Sequence, residues 1–245
     1  MSFRIVLPGA LLVGLSAASA IHANGVKPQT SVVIINEADG EGTISVKNTD
    51  ATPVLLYSKL QNIPEDKVSL LVVTPPMARV EGGQDQLVRF VLKEPAPLKT
   101  ERLERVLFEG IPTVSKGSSA QPKVTVVVRQ NLPVIIHPRG LPVNDTPWQL
   151  LKWSVQGDHL IVRNDSAYVV RLAQKVQLLP QQTLVTLPKT YVLPGETLTL
   201  DAPSSTASSD KVRLFPASVY GYAVPNYEAP LAHAATGNAV PLANH

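Results

Sequence analysis

The sequence predicts an all-β protein made of two consecutive β-sandwiches. Three observations lead there. There are 22 prolines in 245 residues, about twice the average share, and each one inside a helix would remove an N–H and clash with the preceding turn. Short β-branched runs recur at roughly 8–12-residue spacing, with turn residues between them. A break at Pro138-Arg139-Gly140-Leu141-Pro142 separates one series of runs from a second.

The elements follow in order. Arg4 precedes an apolar run from Ile5 to Leu15, and Ser16-Ala17-Ala18-Ser19-Ala20 supplies small residues. A charged start, a short apolar stretch and an Ala-x-Ala site predict a secretory signal peptide over residues 1–20, with cleavage after Ala23 as the alternative. The run falls short of the roughly 20 apolar residues that span a bilayer, so an exported protein that is not membrane-embedded is expected. The first sandwich, residues 24–140, would use Val32–Ile35, Thr43–Lys47, Val54–Leu60, Leu70–Val73, Gln86–Leu92, Leu103–Ile111 and Lys123–Leu132. Only Glu101–Arg105 has a helical argument, and it is too short to hold as a helix unaided. The second, residues 141–225, would use Trp148–Val155, His159–Asn164, Tyr168–Gln177, Lys189–Val192, Glu196–Leu200 and Lys211–Tyr222, with a hairpin turn at Gly157-Asp158. Residues 226–245 lack strand character and are expected to form a disordered tail.

Composition narrows the function. A 44% hydrophobic, 17% charged chain can bury a core. The absence of Cys excludes disulfides, thiol catalysis and cysteine-type metal sites. A net charge of +3, which falls by one if Arg4 leaves with the leader, and 5% aromatics do not make a nucleic-acid footprint. His22, His137, His159, His233 and His245 have no metal-ligand spacing, and no Gly-rich phosphate loop or G-x-S-x-G elbow occurs. Asp145 and Asp165 sit in turn-like stretches, where Asn144 and Asn164 also have glycan-acceptor spacing. No enzyme activity, cofactor or metal is expected.

The informative segment is Gln121 to Pro138. Period two puts Val124, Val126 and Val128 on one face of a strand. The stretch before it, Val114 to Gln121, is polar and Gly/Ser-containing. Two readings are open: an ordinary core strand, or a strand lent to another chain.

Nearly all of the exported chain resembles the periplasmic pilus chaperones of the chaperone–usher pathway, nonconventional branch. The motif-bearing stretches are Val73-Thr74-Pro75-Pro76-Met77-Ala78-Arg79-Val80-Glu81-Gly82-Gly83-Gln84 with Leu87-Val88-Arg89-Phe90, Arg105 to Pro112, Val124 to Pro138, Trp148 to Leu151, and Leu160 to Val169. The resemblance implies two immunoglobulin-like domains in a boomerang arrangement, located in the periplasm. It implies that Val124, Val126 and Val128 belong to a strand donated to pilin subunits lacking one, before delivery to an outer-membrane usher. Fibre growth would then be driven by exchange of that strand for the next subunit's N-terminal segment, without ATP. An exposed strand also makes self-association of the free protein an expectation.

Departures from the family pattern locate the expected anchor. Conventional members hold the subunit's C-terminal carboxylate with an Arg and a Lys in the cleft. Aligned on the flanking residues, those positions carry Ser31 and Pro133, and His137 stands where an interdomain Arg is usual. The resemblance to the nonconventional branch, whose members tend to carry an Arg on this strand seven residues before the Pro, implies Arg105 before Pro112 as the replacement. The alternative for Arg105 is a solvated strand charge paired with Glu101 or Glu104. Arg129 and Ser31 are secondary cleft candidates. The competing function is an exported adhesin or carbohydrate-binding module, which would require exposed aromatics; Trp148 and Trp153 are expected to lie in one strand and pack in the core.

Overall fold

The computed structural model describes residues 25–93, 97–113, 127–201, 208–218, 220, 222 and 224–233. The expected leader, Val124, Val126 and the chain beyond His233 lie outside the described residues.

The first domain contains β1 (Val26–Pro28), β2 (Val33–Asn36), β3 (Glu41–Asn48), β4 (Val54–Asn62), β5 (Leu71–Thr74), β6 (Met77–Val80), β7 (Asp85–Leu92), β8 (Arg102–Pro112) and β9 (Arg129–His137). One sheet runs β1-β3-β7-β5 and the other β2-β9-β8-β4-β6. The chain therefore changes sheets between β1 and β2: β1 pairs antiparallel with β3, while β2 pairs parallel with β9. Alternation explains the packing. Ile44 and Val46 of β3, Val88 and Phe90 of β7, and Val106 and Phe108 of β8 point inward and join one buried cluster with Ile35, Val134 and Ile136. Gly82 is required where it stands, because a Cβ there would lie 2.4 Å from the Ala51 carbonyl oxygen.

The second domain contains β10 (Leu151–Gln156), β11 (His159–Asn164), β12 (Val170–Arg171), β13 (Lys175–Leu179), β14 (Thr183–Thr186), β15 (Tyr191–Val192), β16 (Thr197–Asp201), β17 (Lys211–Leu214) and β18 (Tyr227–His233). A seven-stranded sheet runs β14-β13-β17-β18-β10-β11-β16, and β12 pairs with β15 apart from it. The β10–β11 hairpin turns at Gly157, whose φ of 58° suits a residue without Cβ.

Each domain has a fully buried Asn at the end of a strand. Asn48 Nδ2 donates to Val80 O at 3.0 Å and Thr52 O at 2.9 Å, and its Oδ1 accepts from Asp50 N. Asn164 Nδ2 donates to Val192 O at 3.1 Å and Tyr168 O at 2.8 Å, and its Oδ1 accepts from Ser166 N. Each side chain satisfies carbonyls where the sheet ladder stops. Burial of Asn164 removes it as a glycan acceptor.

Several expectations are corrected. Residues 227–233 are strand rather than disordered tail. Ala229 and Leu231 alternate inward, and Pro230 is tolerated because pairing with β10 starts only at Leu231. The run from Tyr168 to Gln177 divides into β12 and β13, which belong to different sheets. Trp148 lies in a 3-10 turn, Pro147–Leu150, and not in one strand with Trp153. Among the described residues β9 begins at Arg129, and residues 102–105 belong to β8, in line with the expectation that Glu101–Arg105 would not hold as a helix.

The domains meet across a buried apolar cluster of Val32, Ile63, Leu103, Ile135, Val169 and Tyr191. Polar contacts flank it. Glu101 accepts from Val169 N at 2.7 Å and lies 2.8 Å from His137 Nδ1, and His137 Nε2 faces Leu141 O at 2.9 Å. Lys189 is ion-paired with both Glu65 and Glu196.

Glu104 on β8 is buried, and its Oε1 accepts from Leu70 N at 2.6 Å. Burial raises its carboxyl pKa above the ordinary glutamate value, outweighing the hydrogen bond from Leu70. A raised folded-state pKa adds stability that is complete below the unfolded-state value and is lost as pH rises through the folded one. The stability of wild type relative to Glu104→Gln is therefore expected to increase as the pH is lowered from neutral toward the ordinary glutamate range. Thermal melts over that range check it, and parallel pH profiles would contradict it.

Candidate functional site

Strand β9 organises the site. Leu132, Val134 and Ile136 point into the first domain's core, and Ile135 joins the domain-junction cluster. Val128 has the same parity as the core row, is half-buried, and stands 3.5 Å from where a Cβ on Gly25 would be. The row that fills the molecule's own core at 132–136 thus reaches the margin of that core at Val128.

The two edges of β9 differ along its length. On one side β8 pairs with it from Arg129 to Ile136. On the other, β2 pairs only with Val134 to His137. Among the described residues no strand pairs with Arg129–Pro133 on that second side. The backbone groups there have the geometry of a sheet edge that can accept another strand.

Arg105 lies on β8, opposite Pro133 on β9 and Gln61 on β4. Its Nε donates to Asn131 Oδ1 at 2.6 Å and its Nη2 to Asn131 O at 2.8 Å. Neither Glu101 nor Glu104 is its partner, since Glu101 serves His137 and Val169 N and Glu104 serves Leu70 N. Two bonds to one residue orient the guanidinium beside a cleft of about 230 Å³ between the domains. The first domain's side of that cleft is lined by Ser31, Leu103, Arg105, Asn131 and Pro133, and the second domain contributes Arg171, Thr190 and Tyr191. Among the described residues no carboxylate lines it. Burial lowers the Arg105 pKa, and the Tyr191 phenol works in the opposite direction. Tyr191 donates its hydroxyl to Glu65 Oε2 at 3.0 Å, and burial together with that carboxylate pushes its own pKa up to about 12.

The sequence-predicted residues divide accordingly. Ser31, Pro133 and Arg105 line one cleft, although they come from three separate segments. Arg129 does not line it. Its Nε donates to Glu109 Oε2 at 2.9 Å across the β8–β9 pair, which occupies it as a cross-strand ion pair. Sequence reasoning missed Asn131, Arg171 and Tyr191. The β8–β9 register that brings Asn131 to Arg105 carries no local signal, and Arg171 belongs to a short strand hidden within a longer apolar run. Trp148 and Trp153 are both buried and belong to the second domain's core, so neither offers a stacking face to a sugar. Among the described residues no group of three or more His, Asp or Glu is placed to hold a metal, and no helix is long and apolar enough to cross a membrane.

Comparison with known proteins bears on this architecture. Residues 25–142 match the family described as the pili and flagellar-assembly chaperone PapD N-terminal domain, and residues 146–227 match the pili assembly chaperone PapD C-terminal domain. Over 201 residues the chain is 44% identical to the uncharacterized fimbrial chaperone YhcA of Escherichia coli strain K12, covering 82% of this chain and 88% of that protein. It is 25% identical to the chaperone protein MrkB of Klebsiella pneumoniae, over 74% of this chain and 87% of that one. The same fold occurs in a structure of the Salmonella enterica SafA pilin with the SafB chaperone, with a TM-score of 0.70 at 22% identity over 84% of this chain and 96% of that one. It also occurs in the CupB2 chaperone of Pseudomonas aeruginosa, with a TM-score of 0.67 at 24% identity over 84% of this chain and all of that one.

Proposed function

The chain belongs to the PapD family of pilus assembly chaperones, and from that premise we propose that it acts in the periplasm by lending a strand to pilin subunits. The lent strand comprises Val124, Val126 and Val128 and runs on into the open edge of β9. A subunit that lacks one strand exposes an apolar groove and unpaired backbone groups, and both are satisfied by strand addition, an established mode of recognition. The chaperone then hands its client to an outer-membrane usher. Neither ATP nor catalysis enters this scheme.

One observation carries the reading: β9 is paired on both sides at residues 134–136 but on one side only at residues 129–133. The SafB chaperone, which shares the fold, is found in a solved structure in complex with the SafA pilin, and this supports a pilin as the client class here. Arg105 would receive the carboxylate that ends the client chain, because an Arg can grip a carboxylate through two parallel hydrogen bonds. Co-expression with candidate pilins and pull-down on the chaperone tests the proposal. A one-to-one complex with a pilin is expected. Failure to recover any pilin, with the chaperone folded and abundant, would overturn it.

A further inference from the structure

The cleft beside Arg105 contains a second guanidinium, contributed by the other domain. Strand β12 has only two residues. Val170 points into the second domain's core, and period two turns Arg171 the opposite way, toward the first domain. Its backbone is fixed by pairing with Tyr191 and by Ala217 N donating to its carbonyl.

The side chain is not comparably satisfied. Arg171 Nη1 is fully buried and has no hydrogen-bond partner among the described residues. Burial and the nearby charge of Arg105 both lower its pKa, burial being the larger cause. The carboxylates beside Tyr191, Glu65 and Glu196, are taken up by Lys189, and Glu65 also accepts the Tyr191 hydroxyl. Two guanidinium groups therefore share a polar cleft of about 230 Å³ with no carboxylate among the described residues of its lining. Buried donors without partners are rare in folded proteins, and an anion between two like charges would offset their repulsion.

We infer that Arg171 is the second cation of the anion site, so that the terminal carboxylate of a client chain is gripped from both domains, by Arg105 on β8 and Arg171 on β12. This rests on the reading that Arg105 receives a chain end and extends it. The second charge does not come from β9, where Pro133 stands, but from across the cleft. Binding then ties the two domains together in addition to anchoring the client. Asn131 takes the Nε–H and one Nη2 hydrogen of Arg105, which leaves Nη1 and the second Nη2 hydrogen for an anion.

The test uses the full chain with 15N-labelled arginine side chains and a small probe, N-acetylglycine, which carries a terminal carboxylate and its peptide N–H. N-acetylglycinamide, which lacks the charge, is the control. The side-chain Nε–Hε signals of Arg105 and Arg171, assigned with Arg105→Lys and Arg171→Lys, are followed during titration. Both are expected to shift with one common dissociation constant for the acid and not for the amide, and Arg171→Gln is expected to weaken binding at least tenfold. If Arg105 alone responds, its role as anchor stands and the role of Arg171 is overturned. If neither responds, or if the amide acts as well as the acid, the anion site itself is overturned; strand donation would still be decided separately by pilin recovery. The titration of the unmodified protein gives the answer even if a variant folds poorly.

Discussion

Val126→Asp is expected to reduce recovery of a co-expressed pilin at least a hundredfold while the chaperone stays folded. Period two would put Val126 in one row with Val128, Leu132, Val134 and Ile136, the last three of which fill the core. In a complex, Val124, Val126 and Val128 would continue that row into the client's groove. Each would contribute about 1.5–3 kcal/mol of apolar burial before ordering costs. An aspartate removes one such contribution and places an unpaired carboxylate among apolar side chains, which costs several kcal/mol more. A loss of about 3 kcal/mol already corresponds to more than a hundredfold in affinity. The chaperone's first-domain core is built across both sheets from described residues, so the variant's far-ultraviolet circular dichroism and melting temperature should match wild type. Normal pilin recovery would count against strand donation.

Arg105→Ala is expected to weaken capture of a pilin ending in its native carboxylate by about tenfold to a hundredfold, equivalent to roughly 1.4 kcal/mol per factor of ten. Arg105 is partly buried and pre-oriented by two bonds to Asn131. A carboxylate leaving water needs that orientation, because its hydration must be replaced at once by directed donors. Truncation would also leave Asn131 Oδ1 without its partner at 2.6 Å. The effect should vanish for a pilin extended past its natural end, since the charge would then lie elsewhere. Equal affinity of wild type and variant for the native pilin, measured by competition between tagged chaperones, would remove Arg105 from the anchor role.

Much of the architecture was legible because sheet faces follow period two. Thr43–Lys47 and Gln86–Leu92 alternate in burial, Leu103–Ile111 does so from Glu104 onward, and each is part of a strand with one face in the core. The failures have physical causes. Strand β18 offers only Ala229 and Leu231 as inward residues and contains Pro230, so its signal is weak; its place between β17 and β10 is set by tertiary pairing. Strand β12 is two residues long, below any periodic signature, although it carries Arg171. The cleft is legible only in part for a related reason. Ser31, Arg105 and Pro133 could be singled out by alignment to a family pattern, but Asn131 and Tyr191 reach the cleft through register and domain packing, which no local window encodes. Arg129 is a secondary cleft candidate in the sequence, and cross-strand register gives it Glu109 instead.

Amide hydrogen exchange across residues 124–132, compared in the free chaperone and in its pilin complex, tests the central claim most directly. If this edge pairs with the client, these amides are expected to slow at least tenfold on binding, while Met77–Val80 on β6, at the far edge of the same sheet, exchange at an unchanged rate. Unaltered exchange at 124–132 in a complex that has formed, with new protection on some other surface, would contradict the account.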